Sequence, residues 1–190
     1  MRDGEQISTI PGYPCYRTVE EIYDVLSQMA ANNPDLATWI DIGDSWDKVT
    51  AGGPEGYDVH ALVLTSGATG GPKPKFLLGA QMHGNEVAGS EVATRFAEYL
   101  YAGYGTDPDI TWMLDHFEFH LVPYINPDGA HTSETAYARR KNTDSDDGCN
   151  DPTRWGVDLD RNASFKWNMG GEQWRSVQRH LSRHGRSVGA

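Results

Sequence analysis

An imidazole and a carboxylate stand three residues apart in the segment Gly79-Ala80-Gln81-Met82-His83-Gly84-Asn85-Glu86. That spacing can place both donors on one side of a cation. Zinc favours nitrogen and oxygen donors, and its catalytic sites use three protein ligands plus an open position. Alone, the pair fits an ordinary polar surface as well. The Gly84-Asn85 spacer and the location just past an apolar run strengthen the metal reading, because ligands of open α/β sheets gather beyond the carboxyl ends of strands. A second constellation is Asn126-Pro127-Asp128-Gly129, followed by Arg140-Lys141-Asn142. Structurally it reads as a tight turn. Chemically, such a turn shapes the rim of a site, and Arg140 offers a fixed fork of donors to a developing oxyanion. A third segment, Gly156-Val157-Asp158-Leu159-Asp160-Arg161-Asn162, alternates and ends in a charged run. Arg161 can clamp a carboxylate in bidentate fashion. An exposed Asp160–Arg161 pair would otherwise be a solvated ion pair of little energetic consequence.

These residues need a scaffold, and the patterning supplies one. Thr18, Glu20 and Glu21, then Ile22, Val25, Leu26 and Met29, predict a capped amphipathic helix stopped by Asn32-Asn33-Pro34. Two strands are predicted over 36–42 and 57–65, separated by the Gly52-Gly53-Pro54 turn. Phe76, Leu77 and Leu78 predict a buried strand over 75–81, which puts His83 at a strand-to-helix junction ahead of a long helix over 86–101. A further helix over 107–115 and an interior strand over 117–124 precede a long polar segment from 126 to 162. Alternating strands and helices predict an α/β layered domain.

The 190 residues fit one globular domain with a core of ordinary size. A formal net charge of -11 argues against a phosphate-tracking surface, so no nucleic-acid partner is expected. No stretch approaches the roughly 18 apolar residues of a membrane span, and Met1 to Glu5 do not lead into a signal-peptide core. Cys15 and Cys149 permit one disulfide and fit two unrelated thiols equally well.

Taken together and in this order, the three segments resemble the zinc carboxypeptidases of the carboxypeptidase A and T type, over roughly Cys15 to Gly171. The start Cys15-Tyr16-Arg17-Thr18 and the segment Ile42-Gly43-Asp44-Ser45 are most similar to the secreted bacterial branch, which implies an extracellular protein. The resemblance implies a mixed-sheet, phosphorylase/hydrolase-like α/β fold with helices on both faces, truncated at its C-terminus. It implies one Zn2+ held by His83 and Glu86, polarisation of the scissile carbonyl by Arg140, and capture of the substrate's terminal carboxylate by Arg161, with Asn162 and Asp160 shaping that pocket. The implied substrate is the C-terminus of a peptide or protein, attacked by a zinc-activated water.

Departures from the family pattern carry their own expectations. Asp160 stands where the family has Asn, and its charge would repel an anionic substrate terminus unless Arg161 compensates. Arg139 replaces an aromatic residue and is expected at the surface, where the change is tolerated. By the resemblance, the third zinc ligand, a His, and the later Tyr and general-base Glu lie beyond residue 190. The chain thus divides into an N-terminal extension over 1–14, a partial peptidase domain over 15–171 and an atypical tail over 172–190, read here as a frameshifted continuation. That shift would supply a cysteine partner for Cys149, and the coding DNA checks it directly. His180 and His184 would share one helix face, although a replacement-ligand role is the less favoured reading. Two other functions compete: deacylation of N-acyl amino acids, as in the similar desuccinylase and aspartoacylase branch, and a non-catalytic remnant.

Overall fold

The computed structural model describes residues 9–135, 139–146, 149, 151 and 154–162. The tail over 172–190, its His180–His184 pair and most of the N-terminal extension lie outside them. Element order is β1 (Thr9–Ile10), β2 (Tyr13–Arg17), α1 (Val19–Asn32), β3 (Ala37–Asp44), α2 (Trp46–Val49), β4 (Asp58–Leu64), β5 (Lys75–Gly79), α3 (Ala88–Gly103), α4 (Pro108–His116), β6 (Glu118–Val122) and α5 (Pro127–Glu134), then a 3-10 turn over Leu159–Arg161.

Helix α1 begins where its sequence dictates. The Thr18 hydroxyl accepts the Glu21 N–H while the Glu21 carboxylate accepts the Thr18 N–H, so two orphan donors are satisfied reciprocally. Val19, Ile22, Leu26 and Met29 recur at helical spacing and are all buried. Thr18→Ala is expected to lower stability by about 1 kcal/mol, read from the urea midpoint.

Strands β3, β4, β6 and β5 form one sheet in that order, the first two pairings antiparallel and β5–β6 parallel. The register sets Leu62 beside Leu121 and Leu78 beside Leu121, so neighbouring strands present their apolar residues to the same face. There α1, α3, α4 and α5 contribute to a single core that includes Leu26, Leu62, Leu100, Leu114, Leu121 and Ala130. Among the described residues, the helices in this cluster cover one face of the mixed sheet. On β5, Leu78 packs against that core while Leu77, pointing the opposite way, is 71% exposed. The buried strand expected over 75–81 is therefore the sheet's edge among the described residues, and Phe76 is exposed as well.

Buried charge in this half of the molecule is paired. The Arg17 guanidinium reaches both carboxylate oxygens of Glu91, at 3.1 and 2.9 Å, and Glu98 at 2.6 Å, tying β2 to α3. Burial pushes the Glu91 carboxyl up, but Arg17 hydrogen bonds and charge hold it below its usual value. Glu134 behaves oppositely. Burial, together with Glu20 and Glu21, pushes it up to about 7 despite the Val19 N–H it accepts and the nearby His131. A carboxyl raised on folding binds protons more tightly in the native state, so its contribution to stability falls as pH rises from about 4.5 to about 7. In chelator-containing buffer, urea midpoints should show a loss on the order of 1–3 kcal/mol across that window, flattened in Glu134→Gln.

Candidate active site

The parallel pair β5–β6 delivers two loops to the same end of the sheet. Pairing continues past the strands, with Ala80 N–H donating to Val122 O at 2.9 Å and Ile125 N–H to Ala80 O at 2.9 Å. Gln81 then adopts a left-handed backbone, φ 41°, uncommon for a residue with a side chain. Its buried amide donates to Gly84 O at 2.8 Å and accepts the Ser90 hydroxyl, so one side chain fixes the turn that aims His83 and the start of α3. Sequence reading missed Gln81 because glutamine carries no turn signal.

Asn126-Pro127-Asp128-Gly129 corrects the expectation of a simple turn, for it opens α5. Asn126 is the N-cap, its side-chain oxygen accepting Gly129 N–H at 3.0 Å, and Pro127 fills the first turn, where no N–H is needed. A Cβ on Gly129 would strike that capping amide. The polar composition of 126–134 concealed the helix, whose buried residues are mostly small or polar.

The three motifs interlock through backbone. Gly84 N–H donates to Arg140 O at 3.2 Å, and a Cβ on Gly84 would lie 2.6 Å from Arg139 O and closer still to the Gly129 carbonyl. Asn142 joins the third segment to the second: its N–H donates to Val157 O at 3.1 Å and its side chain accepts Val157 N–H at 2.6 Å. Gly156, at φ 101°, passes so close to Asn142 O that no side chain fits. Arg139 corrects a further expectation. It is buried, 7% exposed, and its guanidinium donates to Asn142 O at 3.1 Å, bracing this junction.

The charged groups meet on this frame. His83 Nδ1 lies 3.0 Å from Glu86 Oε1, so the donors read from the sequence converge. Two ligands about 2.05 Å from a tetrahedral zinc stand about 3.3 Å apart, and this separation falls close to that value. His83 Nε2 lies 3.1 Å from Asp158 Oδ1 and 3.3 Å from Asp160 Oδ1. Arg140 reaches Glu86 at 3.4 Å, Asp158 at 3.2 Å and Asp160 at 3.6 Å. Arg161 Nε lies 3.4 Å from Asp158 and 3.9 Å from Asp160, while Asn162 closes the 3-10 turn through its N–H to Leu159 O and is exposed. A hydrogen bond with Asp158 holds the Asp160 carboxyl below its usual range against the opposing effect of burial, and His83 and Arg140 lower it further.

Asp158 is the residue that sequence reading passed over. It is 8% exposed and takes the far nitrogen of His83 together with Arg140 and Arg161. A carboxylate behind an imidazole fixes its tautomer and raises its basicity toward a metal at the other nitrogen. The available signal was the i, i+2 alternation of Asp158 and Asp160. Asp158→Ala is expected to weaken zinc binding about tenfold, with Asp160 in partial replacement, and Asp158→Ala/Asp160→Ala about a hundredfold, by equilibrium dialysis.

A family model for zinc carboxypeptidases matches residues 22–186. The chain belongs to the zinc carboxypeptidase family. Carboxypeptidase A2 of Rattus norvegicus is 29% identical over 176 residues, covering 91% of this chain and 38% of the relative. An inactive metallocarboxypeptidase of Ajellomyces dermatitidis is 33% identical over 156 residues, covering 80% of this chain and 24% of its own length. Among solved structures, thrombin-activatable fibrinolysis inhibitor superposes with a TM-score of 0.68 at 25% identity, over 80% of this chain and 36% of that one. Carboxypeptidase A from Helicoverpa armigera gives a TM-score of 0.64 at 24% identity, over 83% of this chain and 36% of its own, a likeness of fold. The chain therefore spans well under half the length of the relatives it matches. The family fold is the mixed α/β sheet described above.

The Cys15 and Cys149 thiols are not joined. Among the described residues no helix is long and apolar enough to cross a membrane.

Proposed function

We propose that this chain carries the amino-terminal part of a zinc-dependent carboxypeptidase site that releases C-terminal amino acids from peptides. The observation that carries the reading is the convergence of His83 Nδ1 and Glu86 Oε1 at 3.0 Å, with Arg140 at 3.4 Å from the same carboxylate oxygen. His83 and Glu86 hold the ion, and Asp158 keeps the proton on Nε2 so that Nδ1 presents its lone pair. When bound, zinc supplies Lewis acidity, polarising a carbonyl and making water a stronger acid. Arg140 presents N–H donors beside the ligands, where charge develops on a scissile carbonyl oxygen. Arg161, 38% exposed and paired with Asp158 and Asp160, stands at the solvent side of the cluster, where a guanidinium can meet a terminal carboxylate, with Asn162 beside it. An extracellular location belongs to the same proposal and rests on the resemblance to the secreted bacterial branch.

The test is release of the terminal amino acid from a blocked dipeptide in the presence of zinc, with an amidated C-terminus and N-succinyl or N-acetyl amino acids as controls. Cleavage of the free-carboxyl peptide alone, with KM raised in Arg161→Ala, supports the reading; turnover of the N-acyl amino acids instead would replace it with a deacylase.

One observation favours a second reading. Asp160 sets a carboxylate 3.6 Å from Arg140 and 3.9 Å from Arg161, partly neutralising both groups that would attract an anionic substrate. The Ajellomyces dermatitidis relative is itself named inactive. Stoichiometric zinc binding without hydrolysis, and tighter peptide binding in Asp160→Asn, would mark a non-catalytic peptide-binding protein.

A further inference from the structure

Helices α1 and α5 meet at a second constellation of ligating side chains, apart from the site above. His131 Nδ1 lies 3.4 Å from Glu20 Oε1 and 3.4 Å from Glu134 Oε2, and donor atoms of all three residues fall within 4.8 Å of one another. Both 3.4 Å separations match the roughly 3.3 Å expected between ligands of a tetrahedral zinc.

We propose that Glu20, His131 and Glu134 form a second divalent-metal site, of the zinc class, that clips α1 to α5. His131 and Glu134 are i, i+3 on α5 and so project from one face of the helix, while Glu20 reaches them from the first turn of α1. Groups outside the trio hold both carboxylates in place. The other oxygen of Glu134 accepts Val19 N–H at 2.6 Å, and Glu20 accepts the Tyr57 hydroxyl. Such outer partners orient a ligand before the ion arrives. Two carboxylates and a neutral imidazole balance the charge of one divalent ion, and the imidazole selects zinc over calcium or magnesium, which take oxygen. Glu20 and His131 also line a cleft of about 450 Å³, with Tyr57, Glu55, Asp58 and His60 among its other walls, so a fourth coordination position opens to solvent. His131 is 52% and Glu20 56% exposed, which leaves the ion a path of entry.

The experiment is equilibrium dialysis of the whole chain against zinc in a His83→Ala background, which removes the first site from the count. His83→Ala is expected to retain one equivalent of zinc, and His83→Ala/His131→Ala to lose it, with affinity at least about tenfold weaker. Zinc should raise the melting temperature of the first variant and leave that of the second unmoved, and calcium should not compete. Glu20→Gln, also at an exposed position, provides a second variant that must weaken binding in the same way. Absence of the equivalent in His83→Ala, or its persistence after His131 is replaced, overturns the proposal. Neither outcome bears on the site at His83.

Discussion

Replacing His83 with alanine is expected to lower zinc affinity at the β5–α3 junction by about a hundredfold, because it removes one of the two ligands proposed for this chain and each zinc ligand contributes roughly 3 kcal/mol of binding. The fold should survive. His83 spans Glu86 and Asp158, but Asp158 keeps Arg140 at 3.2 Å and Arg161 at 3.4 Å, so no buried carboxylate is stranded by the change. Glu86 is 59% exposed and stays solvated. Urea midpoints of the wild-type and variant chains should therefore differ little in chelator and diverge in zinc, since an ion that binds only the native state stabilises it in proportion to its affinity. Titration by dialysis with His131→Ala in both chains isolates this site from the second one proposed above. Unchanged affinity would mean that the pair at 3.0 Å is an ordinary hydrogen bond and that the ion, if one binds, sits elsewhere.

The parts of this site that carry charge in a short motif were legible in the sequence. His83, Glu86, Arg140 and Arg161 announce themselves by residue type, and the structure brings His83, Arg140 and Arg161 to Asp158 and Asp160, with Glu86 held against His83 and Arg140. Helices α1 and α4 were legible for a different reason: their caps and apolar spacing are local properties, decided within a few residues of Thr18 and Asp107. What escaped depends on contacts between distant segments. Asp158 looks like one of many acidic residues until the Asn142–Val157 pairing sets it behind His83. Arg139 was expected outside, but the carbonyls of the same junction receive its guanidinium and make burial tolerable. Helix α5 reads as polar coil because it buries Asp128 and Glu134 through specific partners, the N–H groups of Asp47 and Val19, which no periodicity reveals. Strand β5 was itself predicted, but its exposure escaped for the reverse reason: Phe76-Leu77-Leu78 is apolar enough for an interior strand, and composition says nothing about which neighbours are present.

Gly84→Ala should be the most damaging single substitution in the motif, although it adds only one methyl group. The added Cβ would lie 2.6 Å from Arg139 O and nearer still to the Gly129 carbonyl, and all of those atoms are backbone. A flexible side chain could swing away; the first turn of α5 and the backbone at 139–140 cannot without breaking the Gly84–Arg140 and Asn126–Gly129 hydrogen bonds. The expected loss is about 3 kcal/mol, at the upper end of overpacking, read from the urea midpoint. Zinc affinity should fall with it, because the displaced segments carry Arg140 and, through Asn142, the Asp158 partner of His83. Gly67→Ala supplies the comparison: a Cβ there meets nothing within 4 Å, and its effect should stay within about 0.5 kcal/mol. Equal midpoints for the two variants would show that the three motifs are merely adjacent. A large difference confined to Gly84 would show that the glycine between the two ligands is conformationally ordinary and sterically obligatory, holding the ligands by letting three backbones touch.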